Sequence, residues 1–250
     1  MSLTVSIITA TFNSAATVGE TMRSVSEQDY PFIEHIIVDG KSQDDTLKIV
    51  GAFSHTALVV CEKDEGIYDA MNKGIRAARG EVIGMLNSDD VYAHPSVISH
   101  VVKAFEDETM QACYADLQYI QAEDPQRIVR TWKSGRFQPS HFYWGWMPPH
   151  PTFFVRKSVY DQVGLFDTSL RSASDYEIML RILLKHKMSA CYIPEVTVKM
   201  RTGGISNASV RNRLRANRED REAWRLNGLH PYFFTLYLKP LRKITQFIIR

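Results

Sequence analysis

Two adjacent carboxylates, Asp89 and Asp90, end the segment Asn-Ser-Asp-Asp, which directly follows an apolar run. Neighbouring negative charges repel each other unless a cation or ordered hydrogen-bond donors compensate them. Mg²⁺ and Mn²⁺ prefer oxygen ligands and typically bind through one or two carboxylates and the phosphate oxygens of a substrate. The pair therefore indicates a divalent-metal site, although the same segment also has the composition of a solvated turn.

A third carboxylate, Asp175, lies in the segment Ser-Ala-Ser-Asp-Tyr-Glu at the start of a predicted helix that runs to about His186. Ser174 and Glu177 have the spacing of a capping box, which would satisfy the first amides of that helix. A carboxylate in the first turn also interacts favourably with the helix dipole, by roughly 0.3–1 kcal/mol. Taken alone, that structural role is sufficient to explain Asp175.

Small and polar residues follow the first two apolar runs, at the carboxyl ends of two predicted strands. Ligands bind at these ends in open α/β sheets, where a carboxylate can accept a hydrogen bond from a base or a ribose hydroxyl. The alternative is that Asn13 or Ser14 caps the first helix and Ser42 or Asp44 caps the second. The candidate nucleotide contacts in these segments are Thr9, Ala10, Asn13 and Asp39.

Short β-branched apolar runs alternate with helical patterns over the first 90 residues. This alternation predicts an α/β fold with a doubly wound, mainly parallel sheet, in which each run is a buried strand. The predicted strands cover residues 3–9, 33–38, 58–60 and 81–86. The predicted helices cover residues 14–27, 44–53 and 66–78.

The alternation fades after Asp90. A helix over residues 95–105 is followed by predicted strands at 111–120, 127–132 and 151–155, with a long loop at 133–150. Trp144, Trp146 and His150 lie in or beside this loop. Since exposed aromatic faces often stack on sugar rings, the three residues are candidates for acceptor binding, with ordinary core packing as the alternative.

A dense polar cluster follows the third predicted strand and contains Asp64 and Lys73. It includes Asp-Glu-Gly-Ile-Tyr-Asp-Ala-Met-Asn-Lys-Gly, preceded by Val-Asp-Gly-Lys-Ser-Gln-Asp-Asp-Thr and followed by Asn-Ser-Asp-Asp. In this order the motifs resemble the family 2 glycosyltransferases of bacterial polysaccharide, O-antigen and colanic-acid biosynthesis. The resemblance covers about residues 3–206.

That resemblance implies a GT-A fold, which is Rossmann-like, and a nucleotide diphosphate-sugar donor. By position in the family's motifs, Thr9, Asp39 and Asp64 would surround the nucleotide base and Asp89 would approach the ribose. Lys73, in the same cluster as Asp64, is a further candidate contact of the nucleotide-sugar. UDP is the preferred nucleotide because the two carboxylates suit a uracil base, although GDP-sugars use similar folds.

The resemblance also assigns the two chemical roles. Asp90 matches the family's metal-binding acidic position, where Mn²⁺ or Mg²⁺ would bridge the donor diphosphate and stabilise the leaving group. Asp175 matches the general base, which would take the proton of an acceptor hydroxyl as it attacks the anomeric carbon and inverts it. The sequence departs from the commoner pattern in having Ser174 where Glu is usual.

Arg201 precedes the segment Gly-Gly-Ile-Ser, which resembles the family's terminal Gly-Gly-x-Ser motif near the diphosphate. Many relatives carry a histidine just before these glycines, but none lies between Lys199 and Gly203 here. Arg201 is therefore the candidate that supplies positive charge to phosphate, a role for which a guanidinium is well suited. A solvated arginine is the alternative.

Charge is distributed unevenly along the chain: residues 199–250 hold 12 Lys/Arg against 3 Asp/Glu, whereas the whole chain carries a net charge of only +2. Residues 209–225 are typical of a basic helix, and 231–250 mix aromatic and basic residues as interfacial anchors do. We expect peripheral contact with a membrane. The alternative is that this segment packs back onto the protein, and no motif favours a nucleic-acid partner.

The predicted organisation is a catalytic domain at residues 1–206 and a basic, aromatic helical tail at 207–250. Within the domain, 1–90 form the donor half and 91–206 the acceptor half with the catalytic base. The amino terminus does not have the pattern of a signal peptide, so we expect a cytoplasmic protein, peripheral at the inner face of the cell membrane. Its three cysteines lack the spacing of a disulfide framework or a zinc site.

The resulting hypothesis is an inverting, metal-dependent glycosyltransferase. It would transfer sugar to a hydroxyl of a lipid-linked glycan in the synthesis of cell-surface polysaccharide or lipopolysaccharide. The alternative is a catalytically inactive scaffold that binds sugar nucleotides or glycans at the membrane.

Overall fold

The computed structural model describes residues 3–202 and 210–245. Its first part alternates strands and helices as predicted, with small shifts of the boundaries because caps and turns set the ends of each element. The strands are β1 (Val5–Thr11), β2 (Ile33–Asp39), β3 (Thr56–Cys61) and β4 (Val82–Met85). The helices are α1 (Val18–Ser26), α2 (Thr46–Val50) and α3 (Ile67–Ala77).

These four strands are parallel and lie in the order β3-β2-β1-β4. Their carboxyl ends therefore meet at one edge of the sheet, where the predicted donor residues follow them. The expectation that every strand is buried is wrong for β3. It is the outer strand of the sheet, and Leu58 and Val59 are exposed on it.

The remaining elements complete one nine-stranded sheet in the described part of the chain. From β4 the order continues β8-β6-β9-β5, with β7 paired to β6. The strands are β5 (Val91–Tyr92), β6 (Ala112–Ile120), β7 (Ile128–Trp132), β8 (Phe154–Arg156) and β9 (Ala190–Arg201). The helices are α4 (Val97–Ala104), α5 (Lys157–Val163) and α6 (Ser174–Met179), which continues as a π-helical segment, Leu180–Lys185.

The long strand β9 is absent from the sequence-based prediction. Pro194, Glu195 and Lys199 interrupt its apolar pattern, so residue alternation does not reveal it. It nevertheless pairs with β6 along most of its length, with two register shifts, and with β5 near its end. It therefore carries Arg201 back to the Asp89–Asp90 segment, because Val91 is opposite Lys199.

The predicted long loop is also more ordered than expected. It contains a 3₁₀ helix, Pro139–Trp144, and a second one follows at His150–Thr152, which shortens the strand expected at 151–155. Aromatic packing explains this order: Phe142 and Trp146 lie in the main core with ring centroids 5.3 Å apart.

Two helices follow the catalytic region, α7 (Val210–Leu226) and α8 (Thr235–Thr245). Helix α8 packs on the 3₁₀ helix, where the Thr235 hydroxyl donates to the Tyr143 carbonyl at 2.7 Å. Gly145 adopts a φ of 74°, and a Cβ there would lie 2.5 Å from the Lys239 backbone nitrogen. Within the described residues, no helix is long and apolar enough to cross a membrane.

Candidate active site

Asp90 occupies a buried position at the carboxyl end of β4. The Asn87 side-chain amide donates to its Oδ2 at 2.8 Å, while its Oδ1 is buried and lacks a hydrogen-bond partner among the described residues. Burial, reinforced by the charge of Asp89, raises the pKa of Asp90 to about 8. A buried carboxylate oxygen without a donor is the kind of ligand that Mg²⁺ and Mn²⁺ prefer, so the residues present fit a divalent cation.

Asp89 lies beside it and is only partly buried. Its burial raises the pKa of Asp89, whereas the charge of Arg201 acts in the opposite direction. The preceding residue, Ser88, contacts the loop after β1 through a 2.9 Å hydrogen bond between its hydroxyl and that of Ser14. The acidic pair and the β1 loop therefore form one continuous surface.

Asp39 has an internal role that the sequence did not indicate. The carboxylate is fully buried and accepts hydrogen bonds from the Thr11 hydroxyl at 2.8 Å and from the Ser42 amide and hydroxyl at 2.8 and 2.6 Å. The Cys61 thiol lies 3.6 Å away as a fourth donor. These donors hold Asp39 in place and let it shape the β2 loop, and its contact with a nucleotide base stays a prediction.

The β1 residues are held in similar ways. The buried Thr9 hydroxyl lies 3.0 Å from His35 Nε2, so this side chain faces the interior. Ala10 is partly buried at the end of the strand. Asn13 accepts a hydrogen bond from the Gln43 amide at 2.9 Å and joins the first two loops. The structure thus gives the side chains of Thr9 and Asn13 contacts within the protein, and their contact with a nucleotide stays a prediction.

Asp64 lies beside Gly40 and Phe12. A Cβ at Gly40 would collide with the Asp64 carboxylate and lie 3.3 Å from the Phe12 ring. Phe12 itself is 64% exposed, although it is large and apolar. A flat exposed ring next to a carboxylate suits stacking and hydrogen bonding to a heterocyclic base. Sequence reasoning missed Phe12, and its position directly after β1 was the available signal.

Lys73 is held away from a free phosphate-binding role by its neighbours. Its Nζ lies 3.1 Å from Glu62 and 3.2 Å from Asp69 and donates to the Lys63 carbonyl at 2.7 Å. These contacts connect α3 to the loop after β3. The structure therefore places Lys73 as a support for the loop that carries Asp64.

Arg201 is also largely buried. It forms an ion pair with Glu20 and donates to the Ala122 carbonyl at 3.0 Å. Its charge opposes the rise in the pKa of both Asp89 and Asp90, which shows that it lies near the acidic pair. The solvated alternative does not hold, whereas contact with phosphate remains a prediction. The Gly-Gly-Ile-Ser segment that follows lies outside the described residues.

Asp175 is in the first turn of α6 and accepts hydrogen bonds at Oδ1 from the Tyr68 hydroxyl at 3.2 Å and the Tyr176 amide at 2.8 Å. The predicted capping box is wrong: the residue that precedes the helix is Ala173, and the Ser174 hydroxyl is buried without a partner in the described chain. Glu177 pairs instead with Arg181, one turn later.

Tyr68 was missed as a partner of Asp175, although it lies within the Gly-Ile-Tyr-Asp motif. Its ring stacks on Phe166 with centroids 5.6 Å apart. Asn72 fixes this arrangement, because its side chain donates to the Phe166 carbonyl and accepts from the Phe166 amide, both at 2.9 Å. Helix α3 is thereby attached to the acceptor side of the site.

Residues of the tail support the Asp175 helix from behind. The Trp224 indole donates to the Tyr176 hydroxyl at 2.9 Å, and the Lys239 ammonium lies 3.5 Å from the centre of the Tyr176 ring. Glu219 accepts hydrogen bonds from the amide and hydroxyl of Ser172 at 2.7 and 2.8 Å. The described part of the tail therefore packs back onto the catalytic region, as the alternative interpretation proposed.

The three predicted acceptor residues have different surroundings. Trp146 is buried and its indole donates to the Ser134 carbonyl at 2.7 Å, so its ring face is not available to a sugar. Trp144 is 54% exposed and packs against Phe234. Burial lowers the pKa of His150, and the charge of Asp175 acts in the opposite direction. Trp144 and His150 therefore remain candidates, and Trp146 does not.

The curled, largely parallel sheet with an acidic pair after β4 defines a GT-A-like glycosyltransferase fold. The chain belongs to glycosyl transferase family 2, whose sequence profile matches residues 6–164. It is 32% identical over 184 residues to an uncharacterized glycosyltransferase of Mycobacterium tuberculosis, covering 72% of this chain and 69% of that one. A PGL/p-HBAD biosynthesis glycosyltransferase of the same organism is 26% identical over 215 residues, covering 82% and 80%.

Solved structures share the fold at lower identity. The mannosyltransferase PcManGT from Pyrobaculum calidifontis, in complex with GDP-Man and Mn²⁺, gives a TM-score of 0.69 at 20% identity over 96% of this chain and 69% of that one. S. aureus TarS residues 1–349 with UDP-GlcNAc gives 0.67 at 18% identity over 90% and 65%. The chain spans only 39% of the longer TarS structure.

Proposed function

We propose that this glycosyltransferase inverts the anomeric carbon of a nucleotide diphosphate-sugar, with Asp175 as general base and a divalent cation at Asp90. The observation that carries the proposal is that two carboxylates, Asp90 and Asp175, have different hydrogen-bond partners, and each difference suits the role proposed for it. One oxygen of Asp90 is buried and accepts no hydrogen bond from the described residues. At Asp175, Oδ1 accepts hydrogen bonds from the Tyr68 hydroxyl and the Tyr176 amide, and neither of these bonds involves Oδ2.

In the proposed reaction, the oxygen of an acceptor hydroxyl attacks the anomeric carbon while the bond from that carbon to the donor phosphate breaks. The acceptor proton passes to Asp175 Oδ2, since Tyr68 and Tyr176 occupy Oδ1. The nucleotide diphosphate leaves on the opposite face. A bound Mn²⁺ or Mg²⁺ would stabilise the charge that develops on this leaving group.

The donor nucleotide is proposed to stack on Phe12 with its polar edge toward Asp64. The absence of a side chain at Gly40 supports this position, because a Cβ there would collide with the Asp64 carboxylate and lie 3.3 Å from the Phe12 ring. TarS has been solved with UDP-GlcNAc and PcManGT with GDP-Man and Mn²⁺. We propose a UDP-sugar first and a GDP-sugar as the competing donor, with Arg201 close to the diphosphate.

The acceptor is proposed to be a hydroxyl of a lipid-linked glycan presented at the inner face of the cell membrane. The support is a group of large apolar side chains that are exposed on the tail and on the 3₁₀ helix beside it. Phe233 is 89% exposed, which is unusual for a phenylalanine in an aqueous surface. The members of this group are Trp144 on the 3₁₀ helix and Tyr232, Phe233, Tyr237 and Leu241 on the tail.

A donor panel tests the reaction. We expect Mn²⁺-dependent hydrolysis or transfer with one of UDP-Glc, UDP-GlcNAc, UDP-Gal and GDP-Man, abolished by a chelator and by Asp90→Asn. Asp161→Asn, an exposed carboxylate on α5, is the matched control and should retain full activity. Tight donor binding without turnover on any acceptor would favour the inactive scaffold instead.

Vesicle binding tests the membrane contact separately. We expect the Phe233→Ser, Tyr237→Ser double variant to lose affinity for vesicles that contain anionic lipid, while Phe32→Ser, an exposed phenylalanine before β2, does not. Point variants are preferable to removal of the tail, because α7 supports the Asp175 helix. Unchanged vesicle binding by the double variant would refute the membrane proposal and leave the transfer chemistry intact.

A further inference from the structure

Two histidines and a glutamate lie together outside the proposed active site. His94 follows β5, His100 is on α4 and Glu195 is on β9, so three separate elements supply them. His100 Nδ1 lies 2.5 Å and His94 Nε2 lies 4.0 Å from the same oxygen, Glu195 Oε1, and the three ligand atoms are all within 4.8 Å of one another.

These separations suit a small cation with tetrahedral coordination. Zinc ligands lie about 2.0–2.2 Å from the ion, which places two tetrahedral ligand atoms about 3.4 Å apart. The distances of 2.5 and 4.0 Å from the two histidine nitrogens to Glu195 Oε1 fall on both sides of that value. Small side-chain rotations would therefore bring the three ligand atoms to the spacing that zinc requires. Zinc would replace the hydrogen bond that now joins His100 Nδ1 to Glu195 Oε1.

The chemistry of the ligands selects the ion. Two imidazole nitrogens and one carboxylate favour zinc, whereas Mn²⁺ and Mg²⁺ prefer the all-oxygen surroundings of Asp90. The three side chains are about one third exposed, at 32% for His94, 42% for His100 and 30% for Glu195. A metal can therefore enter from solvent and keep a water molecule as fourth ligand.

The ring of His94 is already oriented for this purpose. Its Nδ1 lies 3.0 Å from the Ser96 hydroxyl, which directs Nε2 toward Glu195. Metal-binding histidines almost always use their second ring nitrogen in this way, and the partner fixes the tautomer and the ring orientation. The imidazoles of His94 and His100 are 5.8 Å apart at an angle of 56°, so they approach the carboxylate without stacking on each other.

Rigid backbone holds the three ligands. Strand β5 pairs with β9 at Val91–Lys199 and Tyr92–Val198, and the Ala93 amide donates to the Thr197 carbonyl at 2.9 Å. Helix α4 packs on the same core cluster as Val198 through Val97, Ile98 and Val101. An ion at this position would join β5, α4 and β9.

We propose that His94, His100 and Glu195 form a structural zinc site that stabilises the pairing of β5 with β9. This pairing connects the Asp89–Asp90 segment, which directly precedes β5, to Arg201 at the end of β9. His94 comes four residues after Asp90, and the two sites share no ligand. The proposal does not depend on the proposed reaction.

The test uses the full chain after removal of metal with a chelator. Calorimetric titration with Zn²⁺ should give one tight site per chain, and Co²⁺ at the same site should show tetrahedral absorption bands. Loss of a residue that only hydrogen-bonds to a metal ligand weakens metal binding by roughly 10–100-fold. His94→Gln and His100→Gln each remove a ligand and should weaken zinc binding by more than this. Ser96→Ala should weaken it by about that amount. Zinc should also raise the melting temperature of the wild type but not of His100→Gln.

Matched variants show whether zinc binds at these three residues or elsewhere on the protein. His230→Gln removes an exposed histidine far along the chain and should leave zinc binding unchanged. Asp90→Asn should weaken Mn²⁺ binding and leave the zinc site intact. The proposal is overturned if the double variant of His94 and His100 binds zinc as tightly as the wild type, if Asp90→Asn removes the tight zinc site, or if zinc leaves the melting temperature of the wild type unchanged.

Discussion

The proposed donor and acceptor sides of the site are held together by contacts that span very different distances in the sequence. On the donor side, Asp39 is held by Ser42, three residues later, and by Thr11 from the neighbouring strand. On the acceptor side, the donor to Asp175 is Tyr68, 107 residues away, and the Tyr176 hydroxyl contacts Trp224, 48 residues later. The first side is assembled from adjacent loops of a parallel sheet, the second from distant helices.

This difference assigns a second role to the tail. Three residues of the tail form the wall behind the Asp175 helix, namely Glu219, Trp224 and Lys239. Changes in the tail should therefore affect catalysis as well as the proposed membrane contact. Changes in the donor loops should instead affect nucleotide binding and leave the acceptor side folded.

The largest expected effect is on the base itself. Asp175→Asn keeps the shape of the side chain but cannot accept the acceptor proton, so kcat should fall by roughly 10²–10⁴-fold while the protein stays folded. Initial rates at saturating donor measure the loss, with Asp161→Asn as the control of equal charge change. A kcat close to that of the control would remove Asp175 from the mechanism.

Two tryptophan substitutions test whether the tail supports the Asp175 helix. Trp224 is fully buried, so Trp224→Ala should lower the free energy of unfolding by about 3–5 kcal/mol. Trp144 is half exposed, and Trp144→Ala should have a much smaller effect. Urea unfolding followed by circular dichroism measures both, and equal losses would show that the acceptor side does not depend on Trp224 in the way described.

On the donor side, the stability of the protein should depend on pH because of the buried His35. Burial, together with the neighbouring His55, lowers the pKa of His35 to about 3, so the folded protein keeps it neutral where the unfolded chain, with a pKa near 6.5, binds a proton. Its contribution to stability is therefore present above pH 6.5 and is lost as the pH falls toward 3. Between pH 6.5 and 5 the loss should be about 2 kcal/mol.

Urea unfolding at several pH values checks this expectation. His35→Gln should remove that part of the pH dependence even though it lowers stability at pH 7, because the buried hydroxyl of Thr9 loses its partner. His230→Gln, at an exposed position, should keep the wild-type slope. A wild-type slope in His35→Gln would contradict the assignment.

The smallest effect is expected at the contact between the two sides. Tyr68→Phe removes one hydrogen bond to Asp175, worth about 1 kcal/mol, so kcat should fall about fivefold with little change in the donor KM. Tyr30→Phe removes a hydrogen bond to the Leu3 carbonyl at the edge of the sheet and serves as the control. An equal fall in both variants would indicate a general loss of stability and not a positioning role for Tyr68.

The sequence predicted the donor half well because that half repeats a local pattern. Apolar β-branched runs and amphipathic helices alternate there, and each is visible within a short window. The acidic pair after β4 was recognisable for the same reason, since the strand, the turn and both carboxylates are contiguous. For Asp39 and Lys73 the structure shows polar contacts within the protein, and their contacts with a nucleotide-sugar stay predictions.

The acceptor half was less predictable because its contacts are distant in sequence. Strand β9 contains a proline and three charged residues, and only its pairing with β6 and β5 makes it a strand. The capping box at Ser174 matched a local rule that other contacts override, since Glu177 pairs with Arg181 one turn later and accepts a hydrogen bond from the side chain of Asn227, which follows α7. The cluster of His94, His100 and Glu195 spans about a hundred residues, so no spacing rule could have found it.

The configuration of the product tests the central claim most directly. Proton NMR of the transfer reaction, with the donor identified by the panel, reports the configuration at the anomeric carbon before spontaneous equilibration. A single attack assisted by Asp175 predicts a product with the configuration opposite to that of the donor, formed by wild type and lost in Asp175→Asn. A product that retains the donor configuration would contradict the account.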